Sequence, residues 1–454
     1  MGFSGGYRFK HFEGPAEPVL TTLGLPDTVV YPISDGLTVA VAHSDTVSAG
    51  TPVLRHPERT GMMVLSSVNG TVKSLDENRI VISADGSDSF QPIEGHTREP
   101  WRLDHGDVVN LACRTGFLPL LGEAYCDAEI CASVRHIIVN TVHNAPLDQK
   151  WSPEICNDAA LTVAGLQSLK ALFPNADITI TANARNEKVL SGIINDGSAI
   201  IKVLDDNYPQ EHPELLCRDA LDARLVRKDG TYDPSIIIMS YEMLVQFAEG
   251  MTLGRPLIDR IAMVAGPGVS RPGWYRIRTG TPFNFIADKL FKAPKNDQHW
   301  RIVRNGLLTG SAVDGDDYFS AGDSEIAVIR EIEVRELWRF MNPGFDYDAY
   351  SLATAAKFLP FIPRRLDTGM HGGERPCVQC NFCDTVCPVG IYPFLIWKLA
   401  GVDKIEETYR LRAYDCVGCG LCDYVCPSKI SLSATVTQAR KEYYESGSVD
   451  ESTD

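Results

Sequence analysis

The sequence predicts an α/β protein of several domains: an all-β start, a βαβ middle, a mixed β unit, and a helical, cysteine-rich end. Three observations carry this. Short β-branched runs split by turn residues fill positions 31–95. Apolar residues then alternate between strand-like runs and helix-like three-to-four spacing. Finally, eight of the thirteen cysteines fall in two matching motifs near the C-terminus.

Residues 1–30 read as an irregular arm, because "GPAEP" and "LGLPD" carry turn residues without a period. From 31 to 95, "TVVYPI", "DGLTVAVAH", "GTPVLRH", "MMVLSSV", "GTVKSL" and "RIVISAD" predict six short strands in a small barrel or sandwich. Within it, "SDTVSAGTPVLRHPERTGMMVLSSVNGTVKSL" resembles the lipoyl/biotinyl-like barrel. Lys73 lies past the second turn, not at the tip where a carrier lysine would stand, so the barrel is read as structural.

Residues 96–255 predict a Rossmann-like α/β domain. "VRHIIVNTV", "ADITITA", "SAIIKVL" and "PSIIIMS" read as strands, and "NDAALTVAGLQSLKALF", "EKVLSGIIND" and "YEMLVQFAEGM" as helices. Neither G-x-G-x-x-G nor G-x-x-x-x-G-K-[ST] occurs, so the sequence supports the sheet but no nucleotide loop. Residues 256–315 predict a β-grasp domain, and "RPGWYRIRTGTPFNFI" resembles the soluble-ligand-binding β-grasp motif. Trp274 and Tyr275 there read equally as core aromatics or ligand contacts. Residues 316–365 form a strand and helical connector, 366–440 a ferredoxin-type domain, and 441–454 an acidic, disordered tail.

The cysteine motifs are "CVQCNFCDTVCP" and "CVGCGLCDYVCP". Each is Cys-x2-Cys-x2-Cys-x3-Cys-Pro, the spacing of a two-cluster [4Fe–4S] protein whose fourth cysteine ligates the other cluster. The spacing therefore assigns Cys377, Cys380, Cys383 and Cys426 to one cluster, and Cys416, Cys419, Cys422 and Cys387 to the second. A zinc ribbon needs only two Cys-x2-Cys knuckles, and a disulfide framework suits a small secreted domain. Gly420 stands where φ > 0 brings backbone close to inorganic sulfide, and Asn381 takes the equivalent place. The helix–turn–helix read between the motifs is longer than a small ferredoxin's connection, which predicts an α-helical variant.

Other constellations are weaker. Cys126, Cys131, His136 and His143 could be drawn as a metal site but read more simply as packed thiols and strand-end histidines. Cys113, Cys156 and Cys217 read as small core residues. "AVDGDDYFSAGDSE" lacks the order of an EF-hand loop. The net charge is −16, from 59 acidic and 43 basic residues, which argues against nucleic acid as a partner. No run approaches the roughly 20 apolar residues of a membrane span. The start, "MGFSGGYRFKHF", has no apolar signal core, so a cytoplasmic protein is expected.

The order of parts resembles the peripheral C subunit of the Rnf electron-transport complex and the A subunit of the Na+-translocating NADH:quinone reductase. "CVGCGLCDYVCPSKISL" is similar to the Rnf protein. "VAGPGVSRPGWYRIRTGT", "NGLLTGSAV" and "SEIAVIREIEVRELWRFMNPG" are more similar to the reductase protein. The resemblance implies a peripheral subunit on the inner side of the cell membrane. It would relay electrons between a soluble carrier, ferredoxin or NADH-linked, and flavin or iron–sulfur centres of membrane partners. In the Rnf relative, "GGAGFPT" serves flavin and "ECEPY" serves NADH; the stretches here are "ACRTGFLPLLG" from Ala112 and "VHNAPLDQ" from Val142. Lost glycines and the missing carboxylate around Asn144 argue against bound FMN and NAD(H). Arg114 and Thr115 could still meet an anion, but read more simply as a surface loop. The competing readings are a soluble flavin-linked dehydrogenase with the clusters as its exit wire, and a structural adaptor.

Overall fold

The computed structural model describes residues 5–9, 14–15, 17–58, 61–121, 123–148, 151–156, 158–194, 197–293, 299–332, 366–368 and 374–446. Most of the expected connector and the end of the acidic tail lie outside these.

The first strand, β1 (Leu20–Thr22), falls in the stretch expected to be an irregular arm. Seven short strands follow: β2 (Thr28–Pro32), β3 (Thr38–Val39), β4 (Thr46–Val47), β5 (Pro52–Arg55), β6 (Met63–Leu65), β7 (Gly70–Leu75) and β8 (Arg79–Ala84). They make a four-stranded sheet, β2-β8-β7-β4, and a three-stranded sheet, β3-β5-β6. Six strands were expected; "TV" at 46–47 is the seventh, too short to show a period. Alternate residues of the long strands point inward, so Val29, Tyr31, Ile80 and Ile82 share one small core with Val53 and Leu54.

The α/β layer begins with α1 (His105–Thr115), α2 (Leu118–Leu121) and α3 (Ala128–Ser133). It continues through β9 (His136–Asn140), α4 (Ala159–Leu172), β10 (Asp177–Ala182), α5 (Ala184–Ile193), β11 (Ile200–Val203), α6 (Pro213–Leu221), β12 (Ile236–Ser240) and α7 (Tyr241–Leu253). The four strands are all parallel, in the order β11-β10-β9-β12. Helix α4 starts where the Asp158 carboxylate accepts the Leu161 N–H, and α5 where Asn183 does the same for Arg185 and Asn186. Such caps satisfy donors that have no partner within the helix.

A parallel sheet must be covered on both faces. Ile137 and Val139 of β9 face the main core, whose members include Leu166 of α4 and Phe247 of α7. Ile138, between them, packs with Leu216 and Cys217 of α6. Each such fully buried side chain contributes about 1.5–3 kcal/mol. Phe117 and Phe247 stack at 4.2 Å between ring centroids, which adds about 0.5–1.5 kcal/mol.

The next sheet contains β13 (Asp259–Ala265), β14 (Gly273–Arg278), β15 (His299–Arg304), β16 (Ser311–Val313) and β17 (Glu325–Glu331), with α8 (Phe283–Leu290) on one face. Its order is β1-β14-β13-β17-β15-β16. The segment read as connector thus supplies a central strand, parallel to β13 and antiparallel to β15. The segment read as an arm supplies an edge strand, parallel to β14. Both were legible as extended or irregular chain, but pairing with strands far along the chain leaves no mark in local periodicity.

The C-terminal part is helical: α9 (Phe382–Val386), α10 (Pro393–Ala400), α11 (Ile405–Arg410), α12 (Leu421–Val425) and α13 (Leu432–Glu445). The last of these runs into the stretch expected to be tail. The N-terminal segment reaches this part. Gly6 N–H donates to Val386 O at 2.9 Å, and Tyr7 forms a bridge with Tyr208. Phe9, 2% exposed, lies edge-on to Tyr208 and Tyr424. A side chain at Gly5 would meet Cys387 O at 2.5 Å, so only glycine fits there.

Candidate functional site

The two cysteine motifs fold as near copies. Gln379 and Gly418 adopt φ of 54° and 65°, and each N–H donates to the Sγ two residues earlier, Cys377 or Cys416, at 3.4 Å. Asn381 and Gly420 are also left-handed, at 59° and 76°, and each starts a five-residue helix, α9 or α12. Each helix ends at an extended cysteine, Cys387 or Cys426, with nearly equal backbone angles. The left-handed conformation expected at Asn381 and Gly420 is present. The left-handed Gln379 was not foreseen, since glutamine is an unusual choice there.

One narrow cleft brings Cys387 of the first motif together with Cys416, Cys419 and Cys422 of the second, and Cys383 also lines it. All thirteen cysteines are free of disulfides. Burial pushes the Cys416 thiol up to about 11, although the Gly418 N–H pulls it back. Burial likewise pushes Cys419 up to about 12 against the Leu421 N–H. Amides of Val389, Ile391 and Gly390 face Cys387. Such thiols stay protonated at neutral pH unless a metal displaces the proton. A converging set of soft sulfur donors, with backbone N–H groups turned towards them, fits an iron–sulfur cluster, whose potential those N–H groups tune.

The remaining sequence candidates separate. Among the described residues no three His, Cys, Asp or Glu are placed to hold a single metal ion, and His143 is paired with Asp148. Cys113 and Cys217 are buried and Cys156 is partly so, and burial raises the thiols of Cys156 and Cys217. Trp274 is core, 2% exposed, although it also lines a cavity; Tyr275 is in the neighbouring core.

The two stretches matched to flavin and NADH sites face different cavities. Gly116 and Leu120 line one of about 570 Å³, between the barrel and the six-stranded sheet. His143 and Asp148 line another of about 550 Å³. The latter opens at the C-terminal ends of β9 and β12, beside Asn140 and Ser240, the switch point where parallel sheets place ligands. Its described lining holds Asp148, Glu211, Glu242 and Glu325 but no lysine or arginine. Four carboxyls against one imidazolium, His143, whose charge Asp148 already meets, make this cavity a poor match for the phosphates of FMN or NAD(H). His143 Nδ1 and Asp148 Oδ2 are 2.5 Å apart. His143 is pushed up to about 9: burial opposes its charge, but Asp148, with Glu242 and Glu211, outweighs burial. Burial pushes Glu211 up to about 8 and Glu325 well above the usual carboxylate range. Sequence reading missed this group because its members come from four separate segments.

A 4Fe-4S dicluster domain model matches residues 376–430. The A subunit of the Na(+)-translocating NADH-quinone reductase of Cellvibrio japonicus is 22% identical over 82% of this chain and 82% of its own length. Its counterpart in Actinobacillus pleuropneumoniae is 23% identical over 50% of this chain and 56% of its own. That of Yersinia pseudotuberculosis is 29% identical over 34% of each chain. The chain thus spans about a third to a half of the latter two relatives. A solved NAD+-reducing [NiFe]-hydrogenase in the air-oxidized state overlaps 54% of this chain and 49% of its own, at 13% identity and a TM-score of 0.40. By its curated homologues and its 4Fe-4S dicluster domain, the chain is similar to the A subunit of the Na(+)-translocating NADH-quinone reductase, consistent with an Rnf-C/NQR-A-like protein.

Proposed function

We propose that the protein is a peripheral electron-transfer component of a membrane ion-translocating oxidoreductase of the Rnf/Na+-translocating reductase type. It carries two [4Fe–4S] clusters, one on Cys377, Cys380, Cys383 and Cys426, the other on Cys416, Cys419, Cys422 and Cys387. They relay electrons between a soluble carrier, ferredoxin or NADH-linked, and flavin or iron–sulfur centres of partner proteins. When bound, the clusters supply one-electron chemistry. The chain's own residues hold them, set their potentials through burial and N–H donors, and present surfaces for docking. Among the described residues no helix is long and apolar enough to cross a membrane, so ion movement falls to the partners on this reading.

The observation that carries it is Cys387 sharing a cleft with the three cysteines of the other motif, the crossed fourth ligand of two-cluster ferredoxins. Metal analysis of anaerobically purified protein tests it. About eight iron and eight sulfide per chain are expected, with an EPR spectrum of two interacting clusters. Stoichiometric zinc in place of iron overturns it.

A further inference from the structure

The cavity at the ends of β9 and β12 is unbalanced in charge. His143 is paired with Asp148. Glu242 accepts the Trp151 indole N–H and lies within the electrostatic reach of the buried Arg260. Glu211 and Glu325 form no close ion pair among the described residues; His143, already paired with Asp148, acts on both only at longer range. Both oxygens of Glu211 and Oε1 of Glu325 are shut off from solvent without a well-formed hydrogen bond, and Glu325 is only 7% exposed. A buried acceptor left unmet is costly, and two such carboxyls lining one cavity call for a donor that the protein does not provide.

The walls are apolar and aromatic, with Trp151, Tyr208 and Trp274 among them, and Trp151 stacks on His143 at 4.5 Å. At about 550 Å³ the space matches an organic ligand and far exceeds a bare ion. The one cation of its described lining, His143, is already paired with Asp148. We infer that this cavity binds an organic cation, an ammonium or amidinium on an apolar body, which donates to Glu211 and Glu325 and packs on the aromatic walls.

The cavity also abuts the cysteine domain. Tyr208, in its wall, donates its hydroxyl hydrogen to Cys419 O at 2.7 Å. Leu308, also in the wall, lies so near Gly420 that a Cβ there would meet Leu308 O at 3.0 Å. A positive ligand in this cavity would favour an extra electron on a cluster held by the neighbouring cysteine loop, and by reciprocity the reduced protein would bind the ligand more tightly.

Isothermal titration of the full, cluster-loaded chain with benzylamine, benzamidine, benzyl alcohol and benzoate tests the site directly. The two cations should bind at least about tenfold more tightly than the neutral and anionic probes. Glu211→Gln and Glu325→Gln, checked for unchanged iron content and circular dichroism, should each weaken the cations by about tenfold. Equal binding of benzoate or benzyl alcohol overturns the inference, as does absence of cation binding up to about 10 mM. The probe series on the unaltered protein decides the matter even if a variant fails to fold. A cation that binds to protein found to hold zinc would leave the site intact and remove only the electron-transfer role.

Discussion

The Tyr208 hydroxyl donates to the backbone carbonyl of Cys419, tying the α/β layer to the second cysteine loop at 2.7 Å. Tyr208 is 6% exposed and burial raises its pKa, so the hydroxyl keeps its proton and its dipole at any ordinary pH. The positive end of that dipole points at the loop. Tyr208→Phe should leave iron content unchanged and lower the midpoint of one cluster by less than about 59 mV, a tenfold change for one electron. Redox titration followed by EPR reads this; an unchanged midpoint would mean the bond is only structural.

The crossed ligand assignment can be read from pairs of substitutions. Cys387→Ser with Cys419→Ser touches one proposed cluster and should leave about four iron per chain. Cys387→Ser with Cys377→Ser touches both and should leave close to none. The reverse ranking would show that Cys387 belongs with its own motif.

Arg276 holds two layers together. It donates twice to Glu249 of α7, at 2.7 Å each, and once to Asp259 of β13 at 3.1 Å. Its side chain is largely buried, at 13% exposure. Arg255 still reaches both carboxylates, so Arg276→Ala should destabilise the protein in urea unfolding by less than the roughly 3–5 kcal/mol of a fully stranded buried pair. Lysine should restore only part of this, since an ammonium cannot fork across Glu249.

Glu211 gives stability a pH dependence of definite sign. It faces His143 and Asp148, in the cavity that Glu242 and Glu325 also line. The folded chain holds its proton up to about pH 8, against 4.5 ordinarily. Its contribution is therefore complete below the ordinary value and is lost as pH rises through about 8. His143 acts in the same direction, between 6.5 and about 9. Glu211→Gln should leave the melting temperature near pH 5 almost unchanged and raise stability near pH 8.5 by roughly 1–3 kcal/mol. A gain at pH 5 instead would contradict the raised pKa.

The elements with strong local patterns were legible. The strands around Ile138 and Ile180 and the helix around Leu166 lie where their periods put them. The left-handed turns at Asn381 and Gly420 followed from cysteine spacing. Three features were hidden. Leu20–Thr22 is too short to show alternation, and its partner Trp274 is more than 250 positions away. Glu325–Glu331 reads as a strand, but only tertiary pairing makes it central. Asp148, Glu211, Glu242 and Glu325 look like ordinary surface acids until folding buries them together, since burial is a property of the assembled chain.

The contact of Gly5 and Gly6 with the Val386–Cys387 turn has a consequence for biogenesis. Residues that leave the ribosome ahead of the barrel must wait for residues made after the whole body before that turn can close. The barrel and the parallel sheet can form during translation, whereas the cysteine-rich end is completed only once the rest is in place. On the proposed function, cluster insertion would act on a finished body, and a fusion partner placed directly before Gly5 should obstruct closure of that turn.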